Sequence, residues 1–138
     1  MKSSTKKSFA MLKTHLKIDR ELCGEIVELK PGYAKVVQKT SPKMAADEEG
    51  LVHGGFTFGA ADFVAMVAVN EPNVVLIAAE VKFKAPVKVG DEVVYEAKVL
   101  ESEYPKAQVE VRAFVGEVEV MQGVFKTYVT LKHVFAVR

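Results

Sequence analysis

Apolar positions along the chain fall into two regimes. From His53 to Val69 they are almost continuous, and Thr57 and Asp62 are the only polar side chains after His53 itself. Beyond this run, apolar and charged residues are interleaved, as in strands with one wet face. Near the N-terminus, Phe9, Leu12, Leu16 and Ile18 form a short helical stripe with Lys13 and Lys17 facing outward. That spacing predicts a short N-terminal amphipathic helix.

Pro31–Gly32 separates two mixed segments and predicts a hairpin, with strands around 22–30 and 33–40. The following stretch, SPKMAADEE, reads as a polar loop. After Asn70 the pattern is strand-like, with turns at Gly90–Asp91 and near Gly116–Glu117. A helix that is apolar nearly all round must be covered on several sides. The expected architecture is therefore α+β. A curved antiparallel sheet of about five to six strands wraps around one long hydrophobic helix near 54–70, with a short N-terminal helix, in one domain spanning 1–138.

Charge narrows the partners. Lys plus Arg number 19 against 18 Asp plus Glu, a net charge of +1, which argues against a broad nucleic-acid footprint. A small anionic ligand needs only a few local cations. The single cysteine, Cys23, excludes an intrachain disulfide and fits a reducing cytoplasm; it reads as a buried strand cysteine. His15, His53 and His133 are far apart and show no metal-ligand spacing, so no metal site is expected. The basic N-terminus lacks an apolar stretch before a cleavage site, so it is not read as a signal peptide. Three glycines and a central Asp argue against the 54–69 run as a membrane span.

Asp62 is the chemical anomaly. At about 100° per residue, Phe56, Ala60, Phe63, Val64 and Val67 share one broad face of the helix. Asp62 points the other way, among Gly55, Phe58, Gly59, Ala65 and Met66. An apolar setting should raise its pKa, a perturbation common at functional sites. In front of the helix, His53-Gly54-Gly55 offers free backbone N–H groups and the positive end of the helix dipole, suited to a carbonyl oxygen that becomes an oxyanion. Gly54 and Asp62 are about 12 Å apart along one helix, too far to act on one carbonyl. They can cooperate only if two antiparallel copies of the helix meet across a dyad, which predicts a homodimer with shared sites.

The stretches DEEGLVHGGFTFGAADFVAMVAV and IAAEVKFKAPVKVGDEVVYEAKVLE resemble the hotdog-fold acyl-CoA thioesterases, in particular the phenylacetic-acid-degradation (PaaI-type) branch. The resemblance rests on His53-Gly54-Gly55, the aromatic Phe56, Asp62, Phe83-Lys84-Ala85-Pro86 and Gly90-Asp91, and extends from about Leu22 onward. It implies a hydrolase acting on acyl-coenzyme A thioesters, with no cofactor. Gly54 would donate its N–H to the thioester oxygen, Asp62 of the other subunit would activate water or attack, and His53 would shape the loop. Gly55, Phe56, Phe58, Met66 and Phe83 are the candidate substrate contacts, and Lys84 and Lys88 the candidate cations for coenzyme A. The family usually carries Asn six residues before the histidine; here Asp47 stands there, either coupled to Asp62 or turned to solvent. With the charge balance, the single cysteine and the helix composition above, the expectation is a homodimer or homotetramer in the cytoplasm, with no nucleic-acid or membrane partner.

Two rival readings use the same fold. One is a non-catalytic acyl-CoA sensor. The other is a hydratase or dehydratase, whose helix acid typically follows a proline-glycine-rich loop; residues 48–70 contain no proline.

Overall fold

The computed structural model describes residues 10–137. β1 (Glu25–Lys30) and β2 (Tyr33–Lys39) form the expected hairpin, closed by Pro31 and by Gly32 at φ +74°. Proline presets the first turn position, and glycine tolerates positive φ at the second. α2 (Gly54–Val69) then leads into β3 (Val74–Phe83), β4 (Glu92–Glu103), β5 (Lys106–Val115) and β6 (Val118–Val129).

All strand pairs are antiparallel, and the six strands form one sheet in the order β1-β2-β4-β5-β6-β3. Bulges at Ile26/Glu28, Leu76/Ala78, Val99/Glu101 and Ala113/Phe114 bend the sheet, as an extra residue in one strand does. Its concave face supplies Ala34, Val36, Val93, Ala97, Val109, Val111, Met121 and Phe125, all sealed against α2. From α2, Ala60, Ala61, Phe63, Val64 and Val67 meet them; the alanines let helix and sheet approach closely. This is the hotdog architecture: the hydrophobic helix forms the filling of its own sheet. No helix among the described residues is long and apolar enough to cross a membrane.

β3 lies at the end of the sheet, paired only with β6, and most of its residues are exposed. Among the described residues the other edge of β3 therefore has no strand partner, beside Ile77 and Phe83, both more than half exposed.

Three local expectations change. The short helix occurs at α1 (Arg20–Cys23), capped by the Asp19 carboxylate accepting from Leu22 N–H at 3.0 Å, and not along the 9–18 stripe. Phe9 lies outside the described residues. Over 10–18 the backbone bonds to distant partners: Ala10 N–H donates to Leu29 O (2.9 Å) and Lys13 N–H to Asn70 Oδ1 (2.8 Å). His15 adopts φ +55°, which no α-helix accommodates. The segment is thus a strap laid across α2, with His15 and Arg20 against the Phe63 ring. Cys23 closes α1 and is half-buried, so it is not a strand residue. The loop after β2 also holds a 3-10 turn, Pro42–Met44, whose Met44 is fully buried and plugs the core beneath His53.

Candidate active site

α2 begins without a side-chain cap. His53 N–H donates to Met44 O (2.9 Å), and Phe56 N–H donates to His53 O (3.0 Å). The Gly54 and Gly55 amides between them have no acceptor among the described residues. The first N–H groups of a helix lack intrahelical partners and carry its positive dipole end, so these two amides can bind an oxygen that gains negative charge.

The glycines keep that approach open. The Phe83 ring lies over Gly54, where an added Cβ would sit 3.6 Å from Cε1. The His53 ring covers Gly55, where a Cβ would come within 3.0 Å of Cδ2. His53 also meets Phe56 edge-on, with ring centroids 6.3 Å apart. Five of the sequence candidates (His53, Gly54, Gly55, Phe56 and Phe83) thus gather at one end of α2.

Asp62 lies two turns further on. Its Oδ1 is buried and has no hydrogen-bond partner among the described residues, and burial pushes its pKa up from 3.8 to about 6. Such a group is costly to keep ionised and well placed to take a proton near neutrality. The Cys23 thiol at the end of α1 stands within electrostatic reach: burial, then the carboxylates of Asp19 and Asp62, push it up. Phe58 is half-buried with its ring 5.5 Å from that of Phe125, and Met66 is sealed in the core of the chain.

The remaining candidates are spread out. Asp47 is exposed; its Oδ1 accepts from Glu49 N–H (3.0 Å) and Leu51 N–H (3.1 Å), holding the loop that leads to the helix. Lys84 Nζ is 2.7 Å from Glu119 Oε1, while Arg112 Nε is 2.7 Å from Oε2. Hydrogen bonds from Arg112 and Lys84 hold the Glu119 carboxyl down at about 2. Lys88 is exposed and bridges to Leu51 beside the helix start. A concavity of about 500 Å³ bounded by Ile77, Glu101, Lys106 and Lys126 contains neither Asp62 nor the helix start.

A buried polar cluster under α2 is absent from the sequence candidates. Gln38, Tyr95 and Thr57 are all buried; Tyr95 O–H donates to Gln38 Oε1 at 2.6 Å, and the Thr57 hydroxyl bonds that of Tyr95. The signal was available: Gln38 is in inward phase with Ala34 and Val36, and Tyr95 with Val93 and Ala97.

Comparison with known proteins places this geometry. The thioesterase-superfamily profile matches residues 49–122, which hold both the helix start and Asp62. The chain is 49% identical to the crystal structure of uncharacterized protein PH1136 from Pyrococcus horikoshii, covering 93% of this chain and 98% of that one, with a TM-score of 0.91. The PaaI protein from the E. coli phenylacetic acid degradation operon shares the fold at a TM-score of 0.73 and 21% identity, covering 79% of this chain and 80% of that one. Among curated relatives, methylthioribose-1-phosphate isomerase of Aquifex aeolicus is 53% identical over 116 residues, 84% of this chain but 25% of that protein. Transcription factor FapR of Caldanaerobacter subterraneus is 29% identical over 126 residues, 91% of this chain and 62% of that protein. The chain thus spans only part of the curated relatives it matches. With its hotdog architecture and a profile match over more than half its length, the chain belongs to the thioesterase superfamily.

Proposed function

We propose that the protein hydrolyses acyl-coenzyme A thioesters at a site shared by two copies of the chain. The observation that carries this reading is Asp62, a carboxylate with a buried, unpartnered oxygen on an otherwise apolar helix. A buried polar group without a partner is a standing cost to the fold, and its retention fits a use outside the fold. In the proposed reaction the thioester oxygen accepts hydrogen bonds from the Gly54 and Gly55 amides. Asp62 of the partner subunit takes a proton from water as it attacks the carbonyl carbon, or attacks that carbon itself. The C–S bond then breaks and coenzyme A leaves as its thiol, taking the proton that Asp62 received; where Asp62 itself attacks, the thiolate is protonated by solvent, and water then hydrolyses the acyl–Asp62 anhydride to release the carboxylic acid. His53, exposed and packed over Gly55, shapes the entrance.

The second copy is required by distance, since Gly54 and Asp62 of one helix are about 12 Å apart. The unpaired edge of β3, with Ile77 54% exposed and Phe83 55% exposed, supports its docking there. A fully active monomer at micromolar concentration would refute the shared site.

Thiol release from a panel of acyl-CoAs tests the activity. Wild type should turn over at least one member, and Asp62→Asn should lose about 10²–10⁴-fold in kcat. Unchanged turnover in the variant would reject the mechanism. The match to FapR, a transcription factor, favours a second reading as a non-catalytic acyl-CoA-binding protein. Tight binding without turnover in the wild type would select it.

A further inference from the structure

We infer that Gln38 is a positioning residue: its one side-chain amide ties the start of α2, which carries the Gly54–Gly55 amides, to α1 and to Tyr95 of β4. The inference rests on the thioesterase reading above. Gln38 is fully buried near the C-terminal end of β2, and each of its hydrogen-bonding groups is used. Nε2 donates to Leu22 O in α1 at 2.8 Å and to Phe56 O in the first turn of α2 at 3.0 Å. Oε1 accepts from Tyr95 O–H of β4 at 2.6 Å.

The physical argument concerns direction. Apolar packing of α2 against the sheet, with Phe63 in one core with Leu29 and Val36, sets how far the helix stands off, but burial is non-directional, and a helix apolar nearly all round gains little from it in orientation. A hydrogen bond weakens steeply when misaligned, so the bond to Phe56 O fixes the azimuth and rise of the turn that carries Gly54 and Gly55. The start of α2 needs such a fixture because His53 supplies no side-chain cap. The second N–H of the same amide holds Leu22, the neighbour of Cys23, within a rigid distance of that turn. Misplacement by 1 Å of groups meant for a developing oxyanion costs about 10²-fold in rate.

Gln38→Met preserves volume and removes all three hydrogen bonds. Two measurements are made on the full chain: amide hydrogen exchange without substrate, and kcat and KM for acyl-CoA hydrolysis well below the unfolding temperature. We expect exchange across 56–60, the hydrogen-bonded amides of the first turn, to accelerate about tenfold or more while 62–68 stays protected. kcat should fall about 10- to 100-fold with KM within about twofold. Wild-type exchange at 56–60 in the folded variant overturns the inference, and so does accelerated exchange with unchanged kcat.

Gln38→Glu covers the case in which the Met variant does not fold. The neutral introduced carboxyl keeps one O–H donor, and the ionised form keeps none. Wild-type kcat should rise with pH as Asp62 ionises and then level; the Glu variant should add a falling limb, giving a bell. Tyr95 and Cys23, the titratable groups beside Gln38, are both pushed up by burial and supply no such limb near neutrality. A wild-type-shaped profile in the Glu variant overturns the inference. A wild type that binds acyl-CoA and hydrolyses none defeats the thioesterase reading alone, and exchange at 56–60 then decides the role of Gln38.

Discussion

Replacing Asp62 by Asn should make the protein more stable while cutting turnover about 10²–10⁴-fold, and the gain should depend on pH. Burial raises the Asp62 carboxyl from 3.8 in the unfolded chain to about 6 in the fold. Below pH 3.8 the group is protonated in both states and contributes no difference. Between 3.8 and 6 the native state holds the proton that the unfolded state releases, so stability falls as pH rises. Above 6 the loss is complete and constant. Two units at about 1.36 kcal/mol each give about 3 kcal/mol, an upper bound because the side chain is only partly shielded from water. A discounted 1–2 kcal/mol corresponds to about 3–8 °C in Tm for a chain of this length. Thermal unfolding of wild type and Asp62→Asn at pH 4, 6 and 8 checks this. The variant should melt higher at pH 8, with the difference closing at pH 4. In the same buffers, wild-type kcat/KM should rise through pH 6 to a plateau, since the base acts only when ionised. Equal destabilisation of the Asn variant at all three pH values would refute the reasoning, because it would mean the carboxylate is satisfied in the fold.

The other predictions follow from local geometry. Asp47→Asn keeps the oxygen that accepts from Glu49 and Leu51, so rates and substrate preference should stay within about twofold; Asp47→Ala should lose about 1 kcal/mol in urea unfolding. Lys88→Ala should raise KM for acyl-CoA, more at low salt than at high, because an exposed ammonium near the helix start can meet phosphate. Lys84→Ala should change KM little, since Glu119 already holds that ammonium at 2.7 Å. Gly24→Ala should cost about 2–3 kcal/mol by chemical denaturation. Its Cβ would fall 2.5 Å from Val36 Cγ1, at a backbone φ of +99°.

Much of the fold was legible because burial imposes periodicity. The apolar run after His53 predicted α2, and the helix ends one residue before the expected Asn70, which turns left-handed at φ +54°. The Pro31–Gly32, Gly90–Asp91 and Gly116–Glu117 turns all separate strands or mark their starts. The 10–18 strap was misread because its apolar spacing matches a helix, while its backbone bonds go to Leu29 and Asn70, distant in sequence. Cys23 was misplaced for a different reason: the local turn capped by Asp19, whose backbone O accepts from Cys23 N–H at 2.9 Å, is too short to show a periodicity.

For the candidate site, residue types and spacing by themselves determined that Asp62 would sit on the face opposite the core stripe, and that the helix would open with two small residues and free amides. Those follow from helical geometry, which depends only on sequence separation. The tertiary structure decided the rest. It set Phe83 over Gly54, committed Lys84 to Glu119, turned Asp47 into a loop brace and left β3 with an open edge. It also joined Gln38 to Leu22, Phe56 and Tyr95. Each of these depends on which strands become neighbours when the sheet closes around the helix, and no local pattern encodes that order.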